Sequence, residues 1–475
     1  MASTETDYKP GDYILQYVGI VGSSGEKVNI TNQIVELNIY QSIDTPNMSG
    51  DIIVADNAAT SEILPIIGQE QIFFVLRNPG LGGDEIVDFE THHGVISNVG
   101  QRFTATEHTQ VFRLEFVTPE AYSNVRTKVS QSYKGELSSI VKEIFRDENY
   151  LNSKKKLFIE PTRDIKTYVS PNLRPFQVIK HLAEQSISSE DNHTGYLFFE
   201  NARGYNFRSF ESLMGKNISN TYTPTSKIYK LQPSNSGEKQ TDKKKDSILQ
   251  MEVVESFDTL SSTRSGLYGS TLMYHDLFNK NVLKKEFNYF ENRDAVLMNG
   301  TKANFGSIVS KTKINGHTVA DWPESRIFLH STSSDNLHTE GIDNNAEEWM
   351  QHSASRFYEQ EYLQIQILTY GDTSLCAGDL VQIQIPSSRR KDKTVTPDAF
   401  DNVLSGRYLV ADLKHSITPS ATLHGMTLRL IKDSVPKKYG DQSLDFGESP
   451  NGGTVELSSS HYATAEEVNS LQNKL

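Results

Sequence analysis

The sequence predicts a mainly β protein with α+β insertions, built around two antiparallel β-barrels in one chain of 475 residues. Three observations carry that expectation. Two distant stretches repeat one order of strand and turn signals, the strand segments alternate apolar and polar side chains, and helical spacing is confined to segments that interrupt the strands. Residues 68 to 117 read as a turn at Gly68, an acid at Glu70, the alternating strand IFFVLR, a long insert, and a hairpin, HGVISNV then TQVFRLEFVT. Residues 378 to 431 follow the same order. Gly378 and Asp379 open LVQIQIP, an insert follows, and the hairpin is YLVADLKHSI then TLHGMTLRLIK. A subunit with two similar barrels can build a ring whose symmetry is twice its subunit number.

The first barrel is expected over residues 10 to 118. YILQYVGIV and QIVELNIYQSI alternate at period two, and TPNMSG, from Thr45 to Gly50, turns the chain back as DIIVAD. Such punctuated short strands suit a meander closed into a barrel. The pattern changes after Pro119. In ELSSIVKEIF, Leu137, Ile140, Val141, Ile144 and Phe145 recur at i, i+3, i+4, i+7 and i+8, one face of a helix. Pro175 announces a second helix with Phe176, Ile179, Leu182 and Ala183 on one stripe. GYLFFENARGYNFRSF reads as a hairpin turning at Ala202 to Gly204, so residues 119 to 215 form a small α+β domain.

A polar linker is expected over 216 to 247, with the basic run Lys243 to Lys245 solvated inside it. The second barrel is assembled from 248 to 264, beginning with ILQMEVVESFDTL, and from 344 to 432. An inserted domain, 265 to 343, separates the two parts. The helix NAEEWMQHSASRFYEQ places Trp349, His352, Ser353 and Arg356 among its i, i+3 and i+4 positions, just before the repeated unit. Residues 433 to 475 read as a flexible tail rich in Gly, Ser and Pro. Near its end Val468, Leu471 and Leu475 form a narrow stripe, for a partner or for a frayed terminus.

Composition narrows the class of function. A formal charge of -13, from 47 basic and 60 acidic residues, argues against a protein that grips nucleic acid or an anionic membrane. The single cysteine, Cys376, has no intrachain disulfide partner, which fits folding in a reducing cytoplasm. No run of about 18 apolar residues occurs, so direct membrane insertion is not expected. The segment MASTETDYKPGDY lacks the basic and apolar regions of a signal peptide.

No catalytic, cofactor or metal motif emerges. HExxH, CxxC, a Walker loop and a G-x-S-x-G elbow are all missing from the sequence. His92 and His93 are adjacent beside a strand and point to opposite faces, poorly disposed to share a metal. His415 and His424 flank the last hairpin and can meet across it. The acidic pair Glu347 and Glu348 does not by itself make a glycosidase, whose two carboxylates face each other at a set separation. GLGGDE, residues 80 to 85, lacks the lysine and hydroxyl of a phosphate loop and reads as a strand connection. Phe198, Phe199, Tyr205, Phe207 and Phe210 read as core packing rather than a base-stacking sheet.

The stretch VELNIYQSIDTPNMSGDIIVADNAATSEILPIIGQEQIFFVL resembles the opening of the baseplate central hub protein of contractile-tailed, T-even-like bacteriophages. PFQVIKHLAEQS with GYLFFENARGYNFRSFESL, and GDTSLCAGDLVQIQIP with GRYLVADLKHSI, are similar to later parts of that family. The resemblance runs over roughly residues 12 to 432. It implies a virion structural protein of the tail baseplate, assembled in the host cytoplasm, with two tube-like barrels per chain. It implies a homotrimer, and partners in the central spike protein, the tail tube or tube-initiator proteins and other baseplate proteins. Three copies of a two-barrel chain give six similar edges, so the chain is expected to act as a symmetry adaptor. DNA would pass through its channel without specific binding. The rival readings are a tail-associated cell-wall hydrolase and a module that binds host polymer. Gly68 and Gly378 are the candidate structural turns, each expected to need a positive φ before an acid and a strand.

Overall fold

The computed structural model of the chain describes residues 9–22, 25–58, 66–79, 86–214, 227–231, 246–276, 280–292, 297–299, 313, 315–331, 337–338, 346–360, 363–386, 400–401 and 403–435. The fold is mostly β, as the alternating segments predict. Thirteen described strands join in one sheet: β1 (Gly19–Val21), β2 (Lys27–Asn29), β3 (Ile34–Ser42), β4 (Ser49–Asp56), β5 (Gln71–Phe73), β6 (Gly94–Thr106), β7 (Thr109–Val117), β8 (Lys227–Leu231), β9 (Ser247–Ser256), β10 (Leu363–Tyr370), β11 (Leu380–Gln384), β12 (Gly406–Thr418) and β13 (Leu423–Ile431).

The order across this sheet contains the repeat. One half reads β3-β4-β7-β6-β5 and the other β9-β10-β13-β12-β11, the same sequence of neighbours twice. Each half buries the inward side chains of its strands, as alternation demands. Leu37, Ile39, Ile52, Val54, Ile72 and Phe116 pack in the first core. Ile365, Ile367, Val381, Ile383, Leu428 and Leu430 pack in the second. In the second half β11 pairs with both β12 and β8, and β8 pairs with β9, which closes a ring of six pairings. In the first half the described ladder continues from β5 to β1 and β2 instead of returning to β3. The strand β8 falls inside the stretch read as a linker. Both its pairings are parallel, with β11 some 150 residues away among its partners, so nothing local in KIYKL announces it.

Helices α1 (Pro119–Arg126), α2 (Leu137–Arg146) and α3 (Pro175–Glu184) lie between the halves of the sequence, with a hairpin of Tyr196–Asn201 and Gly204–Ser209. The stripe predicted for α2 is buried: Leu137, Ile140, Val141, Ile144 and Phe145 pack with Phe176, Ile179 and Leu182 of α3 and with Tyr205 and Phe207 of the hairpin. α1 was not foreseen from the apolar pattern; Pro119 at its first position, after the extended Thr118, is the start signal present. A further sheet pairs Gly269–Asp276 with Asn281–Asn288 and with Ile327–Ser331. Helix α4 (Ala346–Gln360) leads into β10 and lays Gln351 and Ser355 against the backbone of Ser270 and Leu267.

Candidate assembly surface

The two halves share more than strand order. Both repeated hairpins carry a bulge at the same place, Ser97 on β6 and Ala411 on β12. Both first strands carry one too, Val35 on β3 and Leu249 on β9. The bond from Ile96 N to the Glu70 carbonyl, 2.8 Å, has its counterpart from Val410 N to the Asp379 carbonyl, 2.9 Å. Bulges shift register and are hard to move, so matched bulges mark two copies of one unit.

The turns before β5 and β11 use one device in two versions. Gly68 has φ +90° and Gly378 φ +89°. The Glu70 carboxylate accepts the N–H groups of Ile67, Gly68 and Gln69 at 2.9, 2.9 and 3.0 Å. Burial opposes its charge, but the backbone donors outweigh it and hold the carboxyl below its ordinary range. Asp379 accepts the N–H of Cys376 at 2.9 Å and a fork from Arg203 at 2.8 and 2.9 Å. Its deeper burial pushes the carboxyl up, against the opposing pull of Arg203. In both turns an acid one or two residues past the glycine binds the turn's own N–H groups, which fixes the entry into the strand.

The halves meet through backbone. β12 is long enough for its first part, from Gly406, to pair with β11 and its second part, Asp412 to Ile417, to pair with β3. Side chains reinforce this junction: Ser42 donates to Asp412 at 2.5 Å, Ser416 to Asn38 at 2.8 Å, and the Lys414 ammonium lies 5.7 Å from the Tyr40 ring centre. His415 and His424 do meet, Nδ1 to Nε2, at 3.0 Å. Burial lowers the His415 pKa to about 4, and Asn78 reaches His424 from the first half at 3.4 Å. The pair seals the joint between halves; among the described residues no group of three His, Cys, Asp or Glu could hold a metal ion.

His92 and His93 stand just before β6, with His93 against the Phe73 ring at 5.4 Å. Phe198, Phe199, Tyr205, Phe207 and Phe210 are all buried, which is core packing. Cys376 is buried as well. Residues 80 to 85, Lys243 to Lys245 and the stripe of Val468, Leu471 and Leu475 lie outside the described residues.

A buried ionic trio that no local sequence pattern announces ties these parts together. Lys155 Nζ lies 2.9 Å from Glu120 of α1 and 2.5 Å from Glu200 of the hairpin. Glu200 also accepts from Met48 N at 2.9 Å and from the Thr118 hydroxyl at 2.7 Å. A second buried set pairs Arg356 of α4 with Glu211, Glu359 and Asp433, beside a cavity of about 380 Å³. The carboxylates Glu211 and Glu359 of that cavity are thus engaged by the arginine.

No model of a protein family matches the chain. A curated relative, the probable baseplate hub protein gp334 of Vibrio phage KVP40, is 23% identical over 423 residues, covering 86% of this chain and 91% of the relative. Among solved structures, a tail protein from Neisseria meningitidis MC58 superposes with a TM-score of 0.51 at 13% identity, over 90% of this chain and 99% of that one. A tail protein of prophage MuSo2 from Shewanella oneidensis gives 0.47 at 10% identity, over 89% of this chain and 100% of that one. The fold is that of the Neisseria tail protein, and the resemblance read from the sequence stands: over most of its length the chain is similar to a baseplate hub protein of the T4-like phages.

Proposed function

We propose that the chain is a structural baseplate hub, a homotrimer that joins a three-fold central spike to a six-fold tail tube and lines part of the DNA ejection channel in the virion. The observation that carries this reading is the duplicated unit, with matched strand order, matched bulges and a continuous ladder from β12 to β3. A chain that already places two similar units side by side presents six of them when three copies close a ring, so three-fold and six-fold neighbours meet without an unpaired interface. The curated relative is named a hub protein, which supports the same reading. The domain division belongs to the proposal: units at 10 to 118 and at 248 to 264 with 344 to 432 face the tube, while 119 to 215 and 265 to 343 are free to contact the spike and other baseplate proteins. A hydrolase reading needs an acid and a base facing across a cleft, whereas Glu120, Glu200, Glu211 and Glu359 are committed to Lys155 and Arg356. Light scattering of the purified chain, with and without its spike, tests the proposal: three chains per particle are expected, and a stable dimer contradicts it.

A further inference from the structure

A groove of about 820 Å³ is lined by one side of α3 and one side of α4, together with Leu197 of the hairpin and Phe328. Its α4 wall presents Met350, Ala354 and Phe357 at i, i+4 and i+7, and its α3 wall presents Phe176, Lys180 and Ala183 at the same spacing. Another side of α4 is already filled, since Gln351, Ser355 and Arg356 bond to Ser270, Leu267 and Asp433. Met350, Ala354, Phe357 and Phe328, by contrast, are only half-buried, and Tyr358 beside them is 36% exposed. Two helix walls with apolar residues at two-turn spacing suit a third, amphipathic helix.

The chain carries a segment of that kind close by. It is held as far as Val435: Asp433 pairs with Arg356 at 3.2 Å, the Ser434 carbonyl accepts from Asn299 at 2.9 Å, and Val435 is buried with Leu267, Tyr268 and Leu363. Arg356 precedes Phe357 on α4, so this clamp stands one helix diameter, about 10 Å, from the groove. Residues 436 to 475 lie outside the described residues and include the stripe Val468, Leu471 and Leu475. Its i, i+3, i+7 spacing covers two helical turns, about 10 Å, the length of each wall. A stretch as long as 436 to 467, with its Gly and Ser, reaches about 30 Å, well beyond what is needed. Lys180 and Glu184 are exposed on the α3 side, and Glu466, Glu467 and Lys474 beside the stripe bring the opposite sign to each. Tethering makes the encounter intramolecular, at an effective concentration of about millimolar. We infer that residues 463 to 475 dock as a helix in the groove of their own chain, with Leu471 against Ala354. A segment seated there bridges α3 and α4, tying residues 119 to 215 to the helix that leads into β10.

The test combines a cross-link with a tryptophan probe. Leu471→Cys with Ala354→Cys on the full chain should form a disulfide under mild oxidation, seen by mass spectrometry as a linked peptide within one chain. Asn469→Cys with Ala354→Cys should not, because Asn469 falls on the other face of such a helix. Cys376 is buried and stays outside this chemistry. Trp349 lines the groove, and the other tryptophan of the chain, Trp322, does not. In a Trp322→Phe chain, removal of residues 463 to 475 should raise the quenching of Trp349 by acrylamide. A synthetic peptide of residues 463 to 475 should restore protection, and the same peptide with Leu471→Asp should not. A disulfide that joins two chains, or equal linking from Leu471 and Asn469, overturns docking within the chain. Unchanged quenching on truncation, with no disulfide, leaves the groove to a different chain and overturns it as well.

Discussion

Replacing Lys155 with methionine keeps the length of the side chain and removes the one cation between Glu120 and Glu200, at 2.9 and 2.5 Å. All three side chains are no more than 7% exposed. At an effective dielectric of about 20, charges about 4 Å apart attract by about 4 kcal/mol, most of which offsets desolvation. Removing one partner of a buried pair costs about 3–5 kcal/mol, because the orphaned charges stay buried. For a cooperative unit of roughly 150–250 residues that is a fall of roughly 6–20 °C in Tm. The loss has a pH signature. Burial already raises the Glu200 carboxyl, against the pull of Lys155. Without the lysine the buried Glu200 carboxylate binds a proton more readily than in the unfolded chain, so stability rises as pH falls from neutrality toward the ordinary carboxylate range. Thermal melts followed by circular dichroism at pH 7.5 and pH 5.5 should show a deficit for Lys155→Met that shrinks at the lower pH, and Glu120→Gln added to it should recover part of the loss. An unchanged Tm, or a deficit that grows on acidification, would refute the reasoning.

Three further outcomes are expected. Gly68→Val and Gly378→Val each lose about 1 kcal/mol or more through their positive φ, with Gly378→Val the worse because a Cβ there meets the Phe199 ring at 2.8 Å while Gly68 has only the Ser97 carbonyl at 3.8 Å. His92→Ala and His93→Ala should stay within about 0.5 kcal/mol; melts and particle mass across the four variants check the ranking, and equal tolerance would show that the turns are not special. His415 has a folded pKa near 4 against an ordinary 6.5, so its contribution is complete above pH 6.5 and is lost as pH falls toward 4; the loss amounts to about 3 kcal/mol, and His415→Gln should flatten that part of the stability profile. The assembled chain should not bind double-stranded DNA tightly, since its net charge is -13 and each phosphate neutralised would add a salt slope of about 0.9; micromolar or tighter binding that weakens steeply with salt contradicts a passive channel.

What could be read from the sequence was local. Period-two alternation locates β3 and the two repeated strand-and-hairpin units, and the spacing of Leu137, Ile140 and Ile144 locates α2, because each pattern repeats within a few residues. The repeat was visible as an order of turns and strands. What joins its copies was not: the β12–β3 ladder pairs residues some 370 positions apart, as in Ser42 with Asp412. β8 is five residues in a polar stretch and owes its place to β11. Lys155 lies 35 and 45 residues from its carboxylates, and nothing about an isolated lysine in KKK says that it is buried. His415 and His424 are close enough along the hairpin for their meeting to be read from the sequence, but the burial that lowers the His415 pKa is not local to the hairpin.

The central claim is that three copies of this duplicated chain close one ring, and the particle formed with the spike tests it most directly when imaged down its axis by electron microscopy. Three chains arranged as six similar units around a central hole are expected. A compact single chain, a closed dimer or six chains in the ring would contradict it.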